Sequence, residues 1–308
     1  MYYMDTNYHM ASARIRQKIQ ELKDELDRRS PGKERLLVML AETEIPEAVY
    51  NSNAIESSTL TLKETERIIL GDGIAREVSV REIYEAKNLG SVVARLHAPE
   101  ALPLIDQERV LELHRMLMTG IDDRIAGRFR AAGEYVRVGN HVAPPPEDVP
   151  RLLTEALRAY AGDLSGYFLE KIARFHLAFE TVHPFVDGNG RIGRVLIDYQ
   201  LRQLGLPGVI IRNRTKQSYY RTFRAYRVGA NVKPLEEILA YGLMESMHRR
   251  IAYLRGTSPV RLSGYVKRHG LNAALLTTLA RRQRVPAFRE HGTWMIPADF
   301  RYEPRARR

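Results

Sequence analysis

One short segment of the chain concentrates the residue types that nucleotide chemistry requires. Residues 183–194 read His-Pro-Phe-Val-Asp-Gly-Asn-Gly-Arg-Ile-Gly-Arg and so hold a base, a carboxylate, an amide, three glycines and two guanidinium groups. The imidazole of His183 suits a general base, because its ordinary pKa is near neutral pH. The carboxylate of Asp187 is a hard oxygen ligand of the kind that Mg²⁺ takes together with substrate phosphates. The segment therefore predicts a site that holds a polyphosphate and a metal ion near an attacking hydroxyl.

Two helices are predicted to position this segment. Apolar residues recur with a helical period over Leu169–Thr181, and a second buried helical pattern starts at Val195. Gly188, Gly190 and Gly193 match the spacing G-x-G-x-x-G, but the dinucleotide-binding motif follows a strand, so we reject that interpretation. An ordinary turn between helices would explain the glycines, although not the five polar side chains among them.

A loop that opens a helix is a ready anion site. The free backbone N–H groups from Gly188 to Arg191 and the positive end of the helix dipole form a cradle that a phosphate can approach closely. Arg191 and Arg194 lie three residues apart and hence on one helix face, where their guanidinium groups can hold phosphate oxygens.

At these residues the chain resembles the Fic family, whose signature H-P-F-x-[D/E]-G-N-G-R-x-x-R is matched at every specified position. The resemblance implies transfer of AMP from ATP to a protein hydroxyl, with Mg²⁺. It also implies a role for each loop residue: His183 as the base, Asp187 on magnesium, Asn189 with the amides of Gly188 and Gly190 at the α-phosphate, and Arg191 and Arg194 at the distal phosphates. Related kinases carry lysine in place of Gly190, which favours nucleotidyl transfer here.

Two further segments resemble parts of that family. Residues 133–146 alternate about a Gly-Asn pair, which is typical of a hairpin, and resemble the flap that aligns a target segment; an ordinary hairpin is equally compatible with them. Residues 212–226 resemble the helix beyond the loop. Packing alone would explain the aromatic residues there, and a stacking role near adenine stays open for Tyr219 or Tyr220. Arg124–Arg130 receive no role.

A second motif lies near the N-terminus. Thr61 with Glu64 predicts a capping box that opens a helix over Leu62–Leu70, and residues 46–56 read as a short helix that ends in a carboxylate. A solvated glutamate is the ordinary interpretation of Glu56. The segment from Ser52 to Glu56 nevertheless resembles the inhibitory motif [S/T]-x-x-x-E-[G/N] of the family, which implies that Glu56 pairs with Arg194. Ser57 departs from that pattern. A residue other than glycine is tolerable there if the backbone keeps a negative φ, so the departure concerns the end of the helix more than the charge pairing.

Composition bounds the class of protein. The chain has 308 residues, 44% of them hydrophobic, with no cysteine, which excludes disulfides and thiolate sites. No apolar run approaches the length of a membrane span, and the first residues lack the features of a secretory signal. We expect a soluble cytoplasmic protein without membrane contact, and the sequence leaves open whether it forms a homodimer.

The positive charge lies at the C-terminal end. Residues 248–308 hold 14 Lys or Arg and 3 Asp or Glu, so the net charge of +11 lies there. A linker is predicted at Arg255–Pro259, then a short helix ending at Gly270, a helix capped by Asn272, and two strands around His291.

That order resembles an excisionase-type or MerR-type winged helix-turn-helix. The resemblance implies contacts with double-stranded DNA from Asn272, Thr277, Arg281, Arg282 and Arg284, with Arg289 and His291 on the wing. A basic module that docks protein is the alternative.

The sequence thus predicts a mainly α protein in three segments. Residues 1–102 form a helical segment with the inhibitory motif, residues 103–254 a Fic-like helical core with a hairpin flap, and residues 258–308 a winged helix-turn-helix. The predicted function is a protein adenylyltransferase that acts on a hydroxyl-bearing protein target and is autoinhibited through Glu56. The alternative is a DNA-binding transcriptional regulator whose core senses nucleotide with little turnover.

Overall fold

The computed structural model describes residues 3–98 and 102–303, with side chains from residue 13 onward. Its contacts divide the chain into two compact units, of which one is residues 41–239 and the other combines residues 1–40 with 240–308. The described residues are mainly helical, which confirms the predicted fold class. None of the helices in these ranges is both long enough and apolar enough to span a membrane.

The unit of residues 41–239 holds the predicted loop. Its elements are most of α2 (Glu34–Ile55), α3 (Leu62–Leu70), α4 (Val80–Leu96), α5 (Gln107–Met118), β1 (Arg137–Val138), β2 (His141–Val142), α6 (Val149–Gly162), α7 (Phe168–Val182), α8 (Asn189–Gln203), α9 (Lys216–Gly229) and the start of α10 (Lys233–Leu254). Two of these helices, α2 and α10, belong only in part to this unit. The strands β1 and β2 form an antiparallel hairpin, so the predicted hairpin is present.

The core of this unit fixes the two helices on either side of the loop. Helix α7 packs on α6, α8 and α9, and α8 also packs on α4 and α5. The buried side chains include Phe175, Phe179, Phe185, Ile192 and Leu196. Apolar residues on both sides of the loop are thus removed from water, so the loop between them is held at both ends.

Local capping sets two helix boundaries. The predicted capping box is confirmed: Thr61 Oγ1 accepts from the N–H of Glu64, and the Glu64 side chain accepts from the N–H of Thr61. The predicted short helix over residues 46–56 is wrong at its start, because α2 begins at Glu34 and Pro46 lies inside it. Proline favours the first turn of a helix, which is why the sequence suggested a beginning there.

The other unit contains α1 (Tyr3–Arg29), most of α10, β3 (Pro259–Arg261), α11 (Leu262–Arg268), α12 (Ala273–Arg281), β4 (Phe288–Glu290) and β5 (Thr293–Pro297). The strands form one antiparallel sheet in the order β3-β5-β4. The predicted sequence of two helices and a hairpin is present, and Asn272 caps α12 by accepting from the N–H of Leu275.

One feature of this unit differs from the sequence analysis. The segment interpreted as a linker ends in strand β3, which pairs with β5 through Pro259 and Pro297; a pairing between distant residues leaves no local signal. The division of the chain into compact units falls within α2 and α10. The domain boundaries at residues 102 and 254 that the sequence analysis gives stay a prediction. The last five residues of the predicted winged segment, 304–308, lie outside the described residues.

Candidate nucleotide site

The loop between α7 and α8 is shaped by two residues with positive φ. Helix α7 ends at Val182. Its C-cap residue His183 adopts φ 49°, and Pro184 then prevents further helix. Helix α8 starts after Gly188, which adopts φ 81°. The Asn189 side chain closes the turn, because its Oδ1 accepts from the Phe185 N–H and its Nδ2 donates to the Phe185 carbonyl, both at 2.8 Å. Asn189 is therefore a brace of the loop, and only its second amide proton is available to a phosphate.

His114 on α5 supports the loop from below. Its ring stacks on that of Phe185, with centroids 3.6 Å apart. The Gly127 N–H donates to Nδ1, so Nε2 carries the proton and donates to the Asp187 carbonyl at 3.0 Å. Burial lowers the pKa of His114 to about 4, which keeps it neutral and preserves this tautomer. His114 thus fixes the position of the Asp187 backbone in the loop.

Arg130 ties the loop to the base of the hairpin. Its buried guanidinium group donates to the carbonyl oxygens of Val182, His183, Glu134 and Pro144. These carbonyl groups satisfy four of the five N–H donors of the guanidinium group without any carboxylate. This residue, which received no role from the sequence, holds the two sides of the site together.

The imidazole of His183 lies in the wall of a cavity of about 800 Å³. Burial lowers the pKa of His183 to about 4, and its hydrogen bond with the backbone of Glu180 opposes that shift. The group is therefore a neutral base at physiological pH. Glu180, one turn earlier on α7, places its Oε2 3.6 Å from Nδ1 of His183.

Asp187 lies in a network of alternating charges. Arg191 bridges Asp187 and Glu85, with distances of 3.1 and 3.0 Å, and Arg81 on α4 also contacts both carboxylates. Burial would raise the pKa of Asp187, but Arg191, the Gly188 N–H and Arg81 lower it, so the group is ionised. An ionised carboxylate in a phosphate cradle fits Mg²⁺, which needs only one or two protein carboxylates. No cluster of three or more His, Cys, Asp or Glu suited to a metal occurs within residues 3–98 and 102–303.

The second loop arginine is held by the N-terminal motif. The Arg194 guanidinium donates to Ser52 Oγ at 3.0 Å, to the Ser52 carbonyl at 2.9 Å and to Glu56 Oε1 at 2.8 Å. Although burial acts against the charge, Glu56 and Tyr219 raise the pKa of Arg194 above its usual range. A Cβ on Gly190 would lie 2.2 Å from Glu56 Oε1, so the carboxylate of Glu56 lies directly over the loop backbone.

The end of α2 explains the position of Glu56. The N–H of Ser57 donates to the Ala54 carbonyl and that of Ser58 to the Asn53 carbonyl, which is the Schellman pattern. Ser57 occupies the left-handed position with φ 75°, so the condition of a negative φ, under which a residue other than glycine is readily tolerated there, is not met. The Gly or Asn of the inhibitory pattern is the residue type that this conformation favours.

Tyr219 and Tyr220 of α9 line the same cavity, as do the hairpin residues Val138 and Asn140. Tyr219 is buried and its hydroxyl lies 2.8 Å from Nε2 of His176. Tyr220 is 38% exposed and donates to the Ile55 carbonyl. Of the two, only Tyr220 presents ring surface to solvent for stacking.

The residues predicted to contact DNA lie in the other unit. Asn272, Arg281, Arg282 and Arg284 are exposed and Thr277 is half-buried. The Asn272 side chain is used as the cap of α12. Arg289 lies on β4 as predicted, but its guanidinium group pairs with Glu245 at 2.9 Å and covers the Trp294 ring. Arg289 is thus part of the packing of this unit rather than a free group on the wing.

Four supporting residues have little or no signal in the sequence. Arg81, His114 and Arg130 reach the loop from distant segments, so only the fold reveals them. Glu180 could have been found, because it lies three residues before His183 on one helix face.

Comparison with known proteins matches residues 104–201 to the Fic/DOC family. A protein from Drosophila persimilis named protein adenylyltransferase Fic is 30% identical over 195 residues, which cover 62% of this chain and 38% of that protein. A protein of the same name from Nematostella vectensis is 29% identical over 253 residues, which cover 76% of this chain and 56% of that protein. The chain therefore spans less than two thirds of the length of these relatives.

Solved structures show the same fold. Fic-1 from C. elegans matches with a TM-score of 0.68 and 26% identity, over 82% of this chain and 77% of that one. A Fic domain containing signaling protein from Bacteroides thetaiotaomicron matches with a TM-score of 0.70 and 23% identity, over 78% and 98%. Residues 104–201 thus match the Fic/DOC family model, and the loop of residues 183–194 lies within the matched range.

Proposed function

We propose that this chain is a protein adenylyltransferase, which transfers AMP from ATP to a Tyr, Thr or Ser hydroxyl of a target protein and is restrained by Glu56. The observation that carries the proposal is the position of Arg194. This buried arginine lies at a cavity lined by His183 and the glycine-rich loop, and Ser52 and Glu56 hold its guanidinium group. Two relatives named as adenylyltransferases support the same chemistry.

In the proposed reaction the target hydroxyl attacks the α-phosphorus of ATP. A bond forms from the hydroxyl oxygen to phosphorus, the bond to the β-phosphate breaks, and pyrophosphate leaves. The hydroxyl proton goes to His183, whose Nε2 is free because Nδ1 faces the Glu180 carbonyl at 3.3 Å. The N–H groups at the start of α8 and the guanidinium groups of Arg191 and Arg194 would hold the phosphates.

Asp187 would hold Mg²⁺ in this proposal. The ion would neutralise part of the charge of the polyphosphate. Arg81 and Arg191 contact the Asp187 carboxylate in the structure, so an ion bound there would compete with these two contacts for its oxygens.

The restraint follows from competition for one guanidinium group. While Arg194 is paired with Glu56 it cannot also hold a terminal phosphate, so ATP would lie in a pose that the attacking hydroxyl cannot use. Removal of Glu56 should therefore increase the rate even though it removes an ion pair.

The test uses ATP labelled at the α-phosphate and two matched variants. Glu47 is a buried residue of α2, the helix that ends just before Glu56, and it pairs with Arg212 at 2.5 Å. Neither Glu47 nor Arg212 lines the cavity. We expect Glu56→Ala to increase protein labelling strongly and Glu47→Ala to leave it unchanged. Equal labelling of the two variants and the wild type would contradict the proposed restraint, and no labelling in any of them would contradict the transferase.

The second candidate is a DNA-binding regulator in which the Fic/DOC domain senses nucleotide. The observation in its favour is that Arg281, Arg282 and Arg284 are exposed and make no ion pair with any residue in the described ranges. Exposed, unpaired guanidinium groups suit phosphate contacts. This proposal predicts binding to double-stranded DNA together with little turnover of ATP.

A further inference from the structure

A buried carboxyl group lies beside the candidate base without a hydrogen-bond partner for one of its oxygens. The Glu180 side chain is 9% exposed, and its Oε2 lies 3.6 Å from Nδ1 of His183. Its Oε1 is buried and makes no hydrogen bond with a described residue. An unpaired oxygen of this kind is costly in a folded protein, so it calls for an explanation other than packing.

The nearest neighbour cannot satisfy that oxygen. Nδ1 of His176 lies 3.0 Å from the Gly193 carbonyl, which only accepts, so Nδ1 carries the proton. Nε2 of His176 therefore accepts from the Tyr219 hydroxyl and has no proton to donate to Glu180, 3.9 Å away. A Cβ on Gly193 would lie 2.5 Å from Oε1, so the backbone of α8 also lies close to that oxygen.

The same reasoning fixes the tautomer of His183. Its Nδ1 lies 3.3 Å from the Glu180 carbonyl, which can only accept, so Nδ1 is protonated and Nε2 keeps its lone pair. When Nε2 takes a proton, the resulting cation lies directly beside the Glu180 carboxyl group. An ionised carboxylate at this distance stabilises an imidazolium, and a protonated one does not.

We propose that Glu180 is a positioning residue for the base, whose carboxyl group controls the protonation of His183 from the Nδ1 side. The part of this proposal that concerns catalysis rests on the proposed function, whereas the pairing of the two groups is a property of the free protein. Titratable and charged groups face Glu180 from its own helix, from α8, from α9 and from the end of α2: His176, His183, Arg194, Tyr219, Tyr220 and Glu56.

The electrostatics of the pair support this role. Burial raises the pKa of Glu180 to about 8, with Arg194 opposing the shift and Glu56 adding to it. Burial lowers the pKa of His183 to about 4. The carboxyl group is therefore protonated at neutral pH and ionises as the pH rises, and its ionised form makes His183 the stronger base.

The first test follows the histidine titration in the full chain. The protein contains nine histidines, which are labelled with ¹⁵N and observed by NMR, and His183→Asn identifies the signal of His183. We expect that signal to move in two steps, near pH 8 and near pH 4. Glu180→Gln should remove the upper step, while Glu170→Gln, an exposed carboxylate on the same helix, should keep it. An upper step that persists in Glu180→Gln would overturn the pairing.

The second test measures transfer in the Glu56→Ala background. The transfer rate should rise with pH as Glu180 ionises. This rise should occur at a lower pH than the upper NMR step of the wild type, because Glu56, which raises the pKa of Glu180, is absent. Glu56→Ala/Glu180→Gln should lack this rise. Above it, this variant should be slower by up to about tenfold for each pKa unit by which the base is weakened. ATP affinity should stay the same. Identical pH profiles would overturn the positioning role even if the NMR steps are present, whereas transfer in no variant would refute the proposed function and leave the titration to decide the pairing.

Discussion

The arginines of the loop and those of the C-terminal segment differ in burial and in ion pairing. Arg191 and Arg194 are 3% and 8% exposed, and carboxylates fix each of them. Arg281, Arg282 and Arg284 are exposed and make no ion pair in the described part of the chain. A buried charge acts through the one partner that holds it, while exposed charges act together and through a field that salt screens. A single substitution in the loop should therefore change the transfer rate strongly, whereas each substitution in the C-terminal segment should change DNA affinity by a small amount.

The largest expected effect is at His183. Loss of a general base lowers a rate by roughly 10²–10⁴, so His183→Asn and His183→Ala should both lose at least a hundredfold of the transfer rate of the Glu56→Ala variant. Asparagine is the better test, because it tolerates the positive φ of this position. Equilibrium binding should show that ATP affinity survives.

His269→Ala is the matched control, since His269 is an exposed histidine of the other unit. It should leave transfer unchanged. A transfer rate of His183→Asn equal to that of its parent at neutral pH would remove His183 from the mechanism.

The next effect separates a restraint from a simple ion pair. Glu56→Ala and Arg194→Ala break the same contact, but only the first leaves a guanidinium group for the terminal phosphate. We expect Arg194→Ala to stay inactive, and the double variant to fall roughly a hundredfold below Glu56→Ala, as for the loss of one charge-stabilising donor. Rates for all four proteins are measured with labelled ATP. If Arg194→Ala were activated like Glu56→Ala, the contact would act only as a structural lock.

A smaller and graded effect is expected in the C-terminal segment. Full-length protein should retain mixed double-stranded DNA fragments at ~50 mM salt. A plot of the logarithm of its DNA affinity against the logarithm of the salt concentration should have a slope of about −0.9 for each phosphate contacted. Changing Arg281, Arg282 and Arg284 to glutamine should make that slope shallower by the amount that up to about three phosphate contacts contribute. The same change at the exposed Arg151, Arg158 and Arg174 should not. DNA retention that is absent, or indifferent to salt, would leave a protein-docking module as the interpretation.

The comparison also shows what sequence could and could not supply. Periodicity placed α7 within one residue at each end of its observed bounds, and capping chemistry placed α3 and α12 at their first residues. These signals are local, since a helix contains its own hydrogen-bond partners. The short distance between Glu56 and Arg194 was also expected, although from a family resemblance and not from a local pattern.

What the sequence did not supply depends on contacts between distant segments. Strand β3 exists because it pairs with β5, and the role of Arg130 exists because four carbonyl groups meet around it. The interior position of Pro46 was missed for another reason: an interior proline costs a helix about 3 kcal/mol, so local rules favour a helix start there, yet α2 continues through it.

The smallest expected effect lies at the end of α2, where the chain departs from the inhibitory pattern. Ser57 adopts φ 75° in a Schellman turn, a conformation that costs a residue with a Cβ roughly 1–2 kcal/mol. Glycine relieves that strain but loses more entropy on folding, by about 0.5–1 kcal/mol. Ser57→Gly should therefore stabilise this unit by up to about 1 kcal/mol in chemical denaturation. Ser58→Gly, one residue on and without a positive φ, should instead destabilise it, since Ser58 also hydrogen-bonds Glu82. Because the turn keeps Glu56 over Gly190, Ser57→Gly should leave protein labelling as low as in the wild type. If the Ser57→Gly variant were both less stable and more active, Ser57 itself, rather than the turn, would hold Glu56 in place.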